Sequence, residues 1–464
     1  MKTALPEEIK KHDVIVALST PRGPGALALI RLTGDGVLSV VDPLARLPGG
    51  VRLSDKPSHT VAFGRIVDEQ ETILDQVLFI VMRGPRTFTG EDTIEISCHN
   101  NPFIIESIIQ LFLRQGARMA QPGEFTRRAV ENERITLVQA EAVGELIHAP
   151  TEMALKKALA QLEGSLAYWI ESLEKRLLQV IALCEASFEF LEEDVDFRGQ
   201  IRDLLVSLQA EVARARESFD LQRHIKEGFR IALIGTVNAG KSSLFNKLVG
   251  VQRAIVTPRP GTTRDTIEAS CSRHGLFWTF IDTAGIRQTA DEIEQEGIRR
   301  SLQEAARADV IVLVFDGTKE LSAQVQAVYD ELWQKHAAKI IVVKSKVDLV
   351  QVKLPEEFER AAIALSTVTG VNVDLLEQRI NDKIQELLAR SQTPFMMNKR
   401  LYHLLGELQQ RLLEVQKLVD APVMHYELIS HELRSALESL AEMSGKTVSS
   451  KMLDLVFQEF CVGK

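Results

Sequence analysis

The chain has 464 residues, 26% of them charged, and a formal net charge of −9 at pH 7. That length predicts about two to four domains with ample core, and the acidic balance argues against general nucleic-acid binding, so an RNA partner has to be met by local basic patches or through a second protein. Four scattered cysteines (Cys98, Cys184, Cys271, Cys461) with no Cys-x-x-Cys argue against a disulfide framework or a zinc ribbon and fit a reducing cytoplasm; the N-terminus lacks a signal-peptide core, and apolar runs such as 310–315 are too short to span a bilayer.

In chain order, residues 1–129 read as mixed α/β. Strands are expected at 14–18 and 26–32, separated by the turn-prone TPRGPG, and again at 60–67 and 76–82. GPRTFTGED (84–92) reads as a loop leading into TIEIS, a helix is expected over 103–115, and QPGEFTRRA (121–129) closes the segment. From 130 to 226 punctuation nearly vanishes. Apolar residues recur at helical spacing (Leu155, Leu159, Leu162, Leu166, then Ile170, Leu173, Leu177, Val180 and Ile181), which predicts long packed helices. The acidic LEEDVDFRG (191–199) spaces Asp194, Asp196 and Gly199 like a calcium loop, but Arg198 stands where a ligand is wanted and no glutamate closes the loop, so a solvated helix connection is expected.

Residues 227–387 alternate strands (229–235, 277–281, 309–315, 339–344, 361–365) with helices, the pattern of a mostly parallel sheet that binds ligands at its strands' C-terminal ends. After Pro394 the helical pattern returns, with a break near Ala421-Pro422. The expected fold class is α/β plus all-α: an N-terminal α/β domain (1–129), and a P-loop nucleotide domain (227–387) inserted between the two halves, 130–226 and 388–464, of a helical domain.

The chemistry centres on FRIALIGTVNAGKSS (229–243), a strand running through Gly235-x-x-x-x-Gly240-Lys241-Ser242 into a helix. Glycines let the backbone approach a phosphate, amides and the helix N-terminus point at its oxygens, Lys241 adds charge, and the Ser242 hydroxyl can ligate Mg²⁺. VTPRPGTTRD suits a mobile switch whose Thr263 completes the metal site. Asp282-Thr283-Ala284-Gly285 places an aspartate near the Mg²⁺ shell and a glycine amide near the γ-phosphate. In Ser345-Lys346-Val347-Asp348, the aspartate can accept from guanine N1–H and N2–H₂, a donor pair that adenine does not present; Ser345 replaces the usual asparagine and is too short to reach the base in the same way. The expected nucleotide contacts are Asn238, Ala239, Gly240, Lys241, Ser242 and Ser243; Thr257, Pro258, Arg259, Pro260, Gly261, Thr262 and Thr263; Asp282, Thr283, Ala284 and Gly285; and Ser345, Lys346, Asp348, Ser366, Thr367 and Val368 around the base. Together these motifs indicate a GTPase. Ile286 follows DTAG where many switch GTPases carry a water-orienting glutamine, so another group has to orient the water; Glu294 is either that group or an ordinary carboxylate in the first turn of a helix.

Nearly the whole chain resembles the tRNA-modification GTPases known as MnmE or TrmE. The resemblance rests on DVIVALSTPRGPGALALIRLTG, FTGEDTIEISCH, RMAQPGEFTRRAVENERITLVQAEAVGELI, GTVNAGKSSLFNKL, GTTRD, DTAGIR and the terminal FCVGK. It implies a homodimer formed through an N-terminal folate-binding domain, and GTP hydrolysis when two G domains meet around K⁺. It implies K⁺ ligation by Asn238, Thr257, Arg259 and Thr262, Mg²⁺ ligation by Ser242 and Thr263, and water orientation by Glu294 beside Lys241. It further implies binding of a tetrahydrofolate derivative (5,10-methylene- or 5-formyl-tetrahydrofolate) by Arg31, Glu95, Arg134 and Lys464. With an FAD-containing partner of the MnmG or GidA type, such an enzyme adds a (carboxymethyl)aminomethyl group at C5 of the wobble uridine of certain tRNAs in the cytoplasm. Arg134 stands where many relatives have lysine, and His99-Asn100-Asn101 where they usually have His-Gly-Gly.

Some readings stay open. Cys461 is either a nucleophile that adds to a uracil ring or a small buried residue. Arg127, Arg128, Lys399, Arg400, Lys446 and Lys451 either meet tRNA or form solvated helix faces. A regulatory GTPase docked on RNA or ribosomes without modification chemistry is the alternative of a different class; an ATPase is disfavoured by Asp348.

Overall fold

The computed structural model describes residues 12–189, 197–250, 267–282, 302–389 and 393–447, together with Leu453, Val456, Phe457, Phe460 and Gly463. The chain forms two compact units, one made of Met1–Gly144, Leu162–Ile170 and Leu440–Lys464, the other of Glu145–Gln161 and Glu171–Ser439.

The first unit is built on seven strands: β1 (Ile15–Leu18), β2 (Leu27–Thr33), β3 (Ala45–Arg46), β4 (Thr60–Val67), β5 (Ile73–Met82), β6 (Thr93–His99) and β7 (Arg118–Met119). They lie in the order β3-β4-β5-β6-β2-β1-β7, antiparallel except for the β1–β7 pair. The short helix α1 (Val37–Val41) follows β2, and α2 (Pro102–Arg114) follows β6. Strand alternation puts Ala28, Ile30, Leu32, Val77, Phe79, Val81, Ile94 and Ile96 on one face, where they pack with Ile105, Ile108, Ile109 and Phe112 of α2. On the opposite face Ile15 and Ala17 pack with Phe125 of α3 (Glu124–Glu131), whereas Val61, Phe63 and Leu78 of β4 and β5 stay exposed.

A buried ionic cluster locks this unit. Arg128 is 5% exposed and reaches Asp13, Glu91 and Glu124, while Arg118 binds Asp13 and Glu124. Arg128 is therefore committed internally rather than offered to tRNA. Arg127 pairs with Glu131 at 2.8 Å, and Lys451 lies outside the described residues.

Four helices follow: α4 (Leu137–His148), α5 (Glu152–Leu162), α6 (Ser165–Glu189) and α7 (Arg198–Glu227). Most of LEEDVDFRG lies outside the described residues, its Arg198 and Gly199 opening α7.

In the second unit a six-stranded sheet comprises β8 (Phe229–Gly235), β9 (Ile267–Arg273), β10 (Leu276–Asp282), β11 (Val310–Asp316), β12 (Ile340–Ser345) and β13 (Ile363–Ala364), in the order β13-β12-β11-β8-β10-β9. All pairs are parallel except β9–β10, so the expected α/β class with a mostly parallel sheet is found. Its helices among the described residues include α8 (Lys241–Gly250), α9 (Ala323–His336), α10 (Glu356–Ala361) and α11 (Val373–Leu388). Ile231 and Leu233 join Leu244, Ile380 and Ile384 on one side, and Ala232 and Ile234 join Tyr329, Leu332 and Phe358 on the other. Both faces are thus covered, which is why β11 reads VIVLVF without alternation. Two details differ from expectation: β9 adds an antiparallel edge, and the strand expected from 361 begins only at Ile363, because Ala361 still closes α10.

The helical pattern resumes with α12 (Lys399–Asp420) and α13 (Tyr426–Ser444). Gln209 Nε2 donates to the Leu412 carbonyl at 2.9 Å, Arg216 binds Gln409 at 2.7 Å, and Arg202 binds Asp420, so α7 and α12 run antiparallel. The segment leading into α12 is fastened by buried side chains. Gln222 donates to the Thr393 hydroxyl and the Phe395 carbonyl, Gln161 accepts the Met396 N–H, and Lys157 Nζ donates to the Thr393 carbonyl at 2.8 Å. No helix among the described residues is long and apolar enough to cross a membrane.

Candidate nucleotide and folate sites

The phosphate loop begins where β8 passes closest to β11. A Cβ on Gly235 would lie 2.3 Å from the Val314 carbonyl oxygen, so only glycine fits there. Asn238 (φ 62°) and Gly240 (φ 94°) then turn the chain into α8; asparagine is among the residues that tolerate this left-handed conformation. Lys241 is 5% exposed and donates to the carbonyl oxygens of Gly235 (2.6 Å) and Thr236 (2.7 Å), so its ammonium lies over the loop. Burial pushes its pKa below the ordinary lysine value, against the opposing pull of the Asp282 charge.

Ser242, at the start of α8, donates to Asp282 Oδ2, at the end of β10, across 2.7 Å. A hydroxyl and a carboxylate at neighbouring strand ends are hard oxygen donors of the kind Mg²⁺ accepts while keeping waters and substrate phosphates, so these residues fit the ion. At the same C-terminal end of the sheet, toward its β13 edge, Val347 N–H bonds the Leu365 carbonyl, which ties the Asp348 loop to the Ser366 loop. Asp348 and Val368 are exposed and Ser366 is buried. Lys346 (φ 59°) turns its ammonium onto Asp316 Oδ2 at 2.7 Å. Burial works to raise the Asp316 carboxyl, but hydrogen bonds from Lys346 and Thr318 hold it below the usual carboxylate value. Ser345 donates toward the carbonyl oxygens of Ala239 and Phe315.

Thr257, Pro258, Arg259, Pro260, Gly261, Thr262, Thr263, Thr283, Ala284, Gly285 and Glu294 lie outside the described residues. Among the expected K⁺ ligands, only Asn238 is described, with its side chain exposed at the loop's tip.

In the first unit, Arg31 and Glu95 are direct cross-strand partners on β2 and β6. Arg31 Nε and Nη2 both lie 2.7 Å from Glu95 Oε1, and the guanidinium stands over the Phe125 ring at 5.6 Å. The pair occupies the sheet face that also carries Val61, Phe63 and Leu78, because it shares their strand parity. The Gly463 carbonyl accepts from the Ser19 hydroxyl at 3.2 Å and lies 3.5 Å from Arg31 Nη1. At φ 98°, with a would-be Cβ 2.5 Å from the Leu18 carbonyl, Gly463 lies against β1 where only glycine fits. A carboxylate able to accept from an amino-pyrimidinone edge beside a cation fits a folate. Arg134 is anchored separately, its Nε donating to the Thr87 carbonyl at 3.2 Å. Cys461 and Lys464 lie outside the described residues.

The two asparagines in place of glycines have defined work. Asn100 Nδ2 donates to the carbonyls of Gly23 (2.7 Å) and Gly25 (3.2 Å), pinning the TPRGPG turn. Asn101 caps α2 by accepting the Phe103 N–H at 2.9 Å. His99 pairs with Asp75 at 2.7 Å. Sequence reading missed Asp316 as the partner of Lys346, although an aspartate ending an apolar strand was a usable signal; the Ser345–Ala239 contact joins residues 106 positions apart and had none.

Comparison with known proteins covers both units. The family model described as MnmE helical domain matches residues 137–461, and that described as GTP-binding protein TrmE N-terminus matches 14–134. The tRNA modification GTPase MnmE of Chlorobium phaeobacteroides is 39% identical over 468 residues, covering 98% of each chain. That of Chlorobaculum tepidum is 37% identical over 462 residues, covering 97% of each chain, and that of Geobacillus kaustophilus 38% over 465 residues, covering 98% of this chain and 100% of the relative. The chain belongs to the tRNA modification GTPase MnmE family.

Proposed function

We propose that this chain is the GTP-hydrolysing component of a complex that modifies the wobble uridine of certain tRNAs. The observation that carries the GTPase reading is the meeting of Lys241, Ser242 and Asp282 at adjacent strand ends. Lys241 supplies positive charge over the phosphates, Asp348 selects guanine, and Ser242 with Asp282 and Thr263 holds Mg²⁺, which when bound neutralises charge on the β- and γ-phosphate oxygens. Asn238, Thr257, Arg259 and Thr262 hold K⁺, Glu294 orients the attacking water in place of the glutamine that Ile286 cannot replace, and hydrolysis is activated when two G domains meet.

The carbon donor is a tetrahydrofolate derivative held by Arg31, Glu95, Arg134 and Lys464. The uncovered apolar face of β4 and β5 supports a homodimer through the same sheet, since monomeric domains seldom leave contiguous aromatic and aliphatic side chains in water. The domains are 1–129 for folate and dimerisation, 227–387 for GTP, and 130–226 with 388–464 as the helical body. The FAD-containing partner and tRNA complete the complex in the cytoplasm.

The test is GTP turnover in matched K⁺ and Na⁺ buffers, with mass spectrometry of wobble uridines from cells in which this chain is the sole copy. Potassium-stimulated turnover and restored modification are expected. Turnover indifferent to the cation refutes the role of Asn238, and turnover without restored modification refutes the tRNA reading.

A further inference from the structure

Ser345 ends β12 at 4% exposure, and its hydroxyl lies between two buried carbonyls: that of Ala239 in the phosphate loop at 2.7 Å and that of Phe315 in β11 at 2.9 Å. Both neighbours are acceptors, and a serine hydroxyl has one proton to share between them. The backbone around it is fixed from outside, because the Gly317 N–H takes the Ser345 carbonyl at 3.1 Å. A Cβ on Gly240 would lie 3.7 Å from this hydroxyl, so the side chain fills the space behind the loop's turn. Asp348, the base-selecting candidate, lies three residues on and is exposed.

We propose that Ser345 is a positioning residue that acts on the phosphates of the nucleotide and not on its base. Through Ala239 it holds the loop that presents Gly240, Lys241 and Ser242, and its single shared proton makes that hold looser than two donors would. This inference rests on the guanine-nucleotide reading of the site.

The experiment compares wild type, Ser345→Ala and Ser345→Thr as full chains, by equilibrium binding of GTP, GDP and inosine triphosphate, which lacks the 2-amino group, with thermal melting as a folding check. Removing the hydroxyl orphans a buried carbonyl, and all three affinities are expected to fall by the same factor, about tenfold. KM for GTP rises, kcat at saturation changes little, and threonine restores binding. A loss confined to the guanine nucleotides GTP and GDP, with inosine triphosphate unaffected, overturns the proposal because Ser345 then reads the base; unchanged binding by Ser345→Ala overturns it too. A wild-type chain that binds none of the three overturns the guanine-nucleotide reading as well, which separates the two failures.

Discussion

The Ser242 hydroxyl donates to the Asp282 carboxylate across 2.7 Å, although 40 positions separate them in the chain. The parallel pairing of β8 with β10 aligns Leu233 with Asp282, which carries the aspartate to the mouth of the phosphate loop. Asp282→Asn keeps the side chain's size and removes its charge. Mg²⁺-dependent GTP hydrolysis is expected to fall by about 100-fold, and titrating turnover against Mg²⁺ checks it: an unchanged curve removes Asp282 from the metal shell.

Arg31 and Glu95 form a pair on a sheet face remote in sequence from the phosphate loop. On the proposed folate reading, Glu95→Gln removes the carboxylate charge beside Arg31, so affinity for tetrahydrofolate is expected to drop by at least about tenfold. GTP turnover is the control and stays at the wild-type rate. Calorimetric titration showing unaltered folate binding sinks the assignment.

The cluster of Asp13, Arg118, Glu124 and Arg128 predicts acid sensitivity. Burial works to raise both carboxyls, but the hydrogen bonds and charges of the arginines outweigh it and hold them below their ordinary values. A carboxylate depressed on folding stabilises the protein fully above its unfolded pKa and loses that contribution as pH falls through the folded one. The loss begins below about pH 4.5. Urea unfolding between pH 7 and pH 3 is expected to show a steep acid limb that Arg118→Ala flattens.

Asn101 caps α2, so Asn101→Ala is expected to destabilise by about 1 kcal/mol, whereas Asn101→Gly costs only a few tenths. Denaturant midpoints of the two variants measure the difference. Equal losses mean that the capping hydrogen bond is not what asparagine supplies here.

Lys157 shows the same sign of linkage, shifted to alkaline pH. Burial pushes its ammonium down to about 8, below the unfolded value, so the unfolded chain binds the extra proton and stability rises as pH climbs through and above 8. Lys157→Met is expected to reduce that alkaline rise. Thermal melting from pH 7 to pH 10 reads it directly.

Much of the site was legible because its signals are local. The phosphate loop is one contiguous run between a strand and a helix, and apolar β11 announced a sheet covered on both faces, since period and burial are printed residue by residue. Asp282 ends β10 and Asp348 stands three residues past the end of β12, both beside strands expected from the sequence. Tertiary structure alone decided the commitments made across distance: Arg128 turned inward to Asp13 and Glu91, Lys346 to Asp316, and Ser345 to Ala239 and Phe315. A charged or hydroxyl side chain carries no local mark of its partner, because the partner is chosen by strand order and register and not by spacing along the chain. The sequence by itself determined which loop carries the phosphate-loop pattern and which family the chain belongs to, because both are local runs of residues; only packing decided which of those polar groups are already bonded to one another.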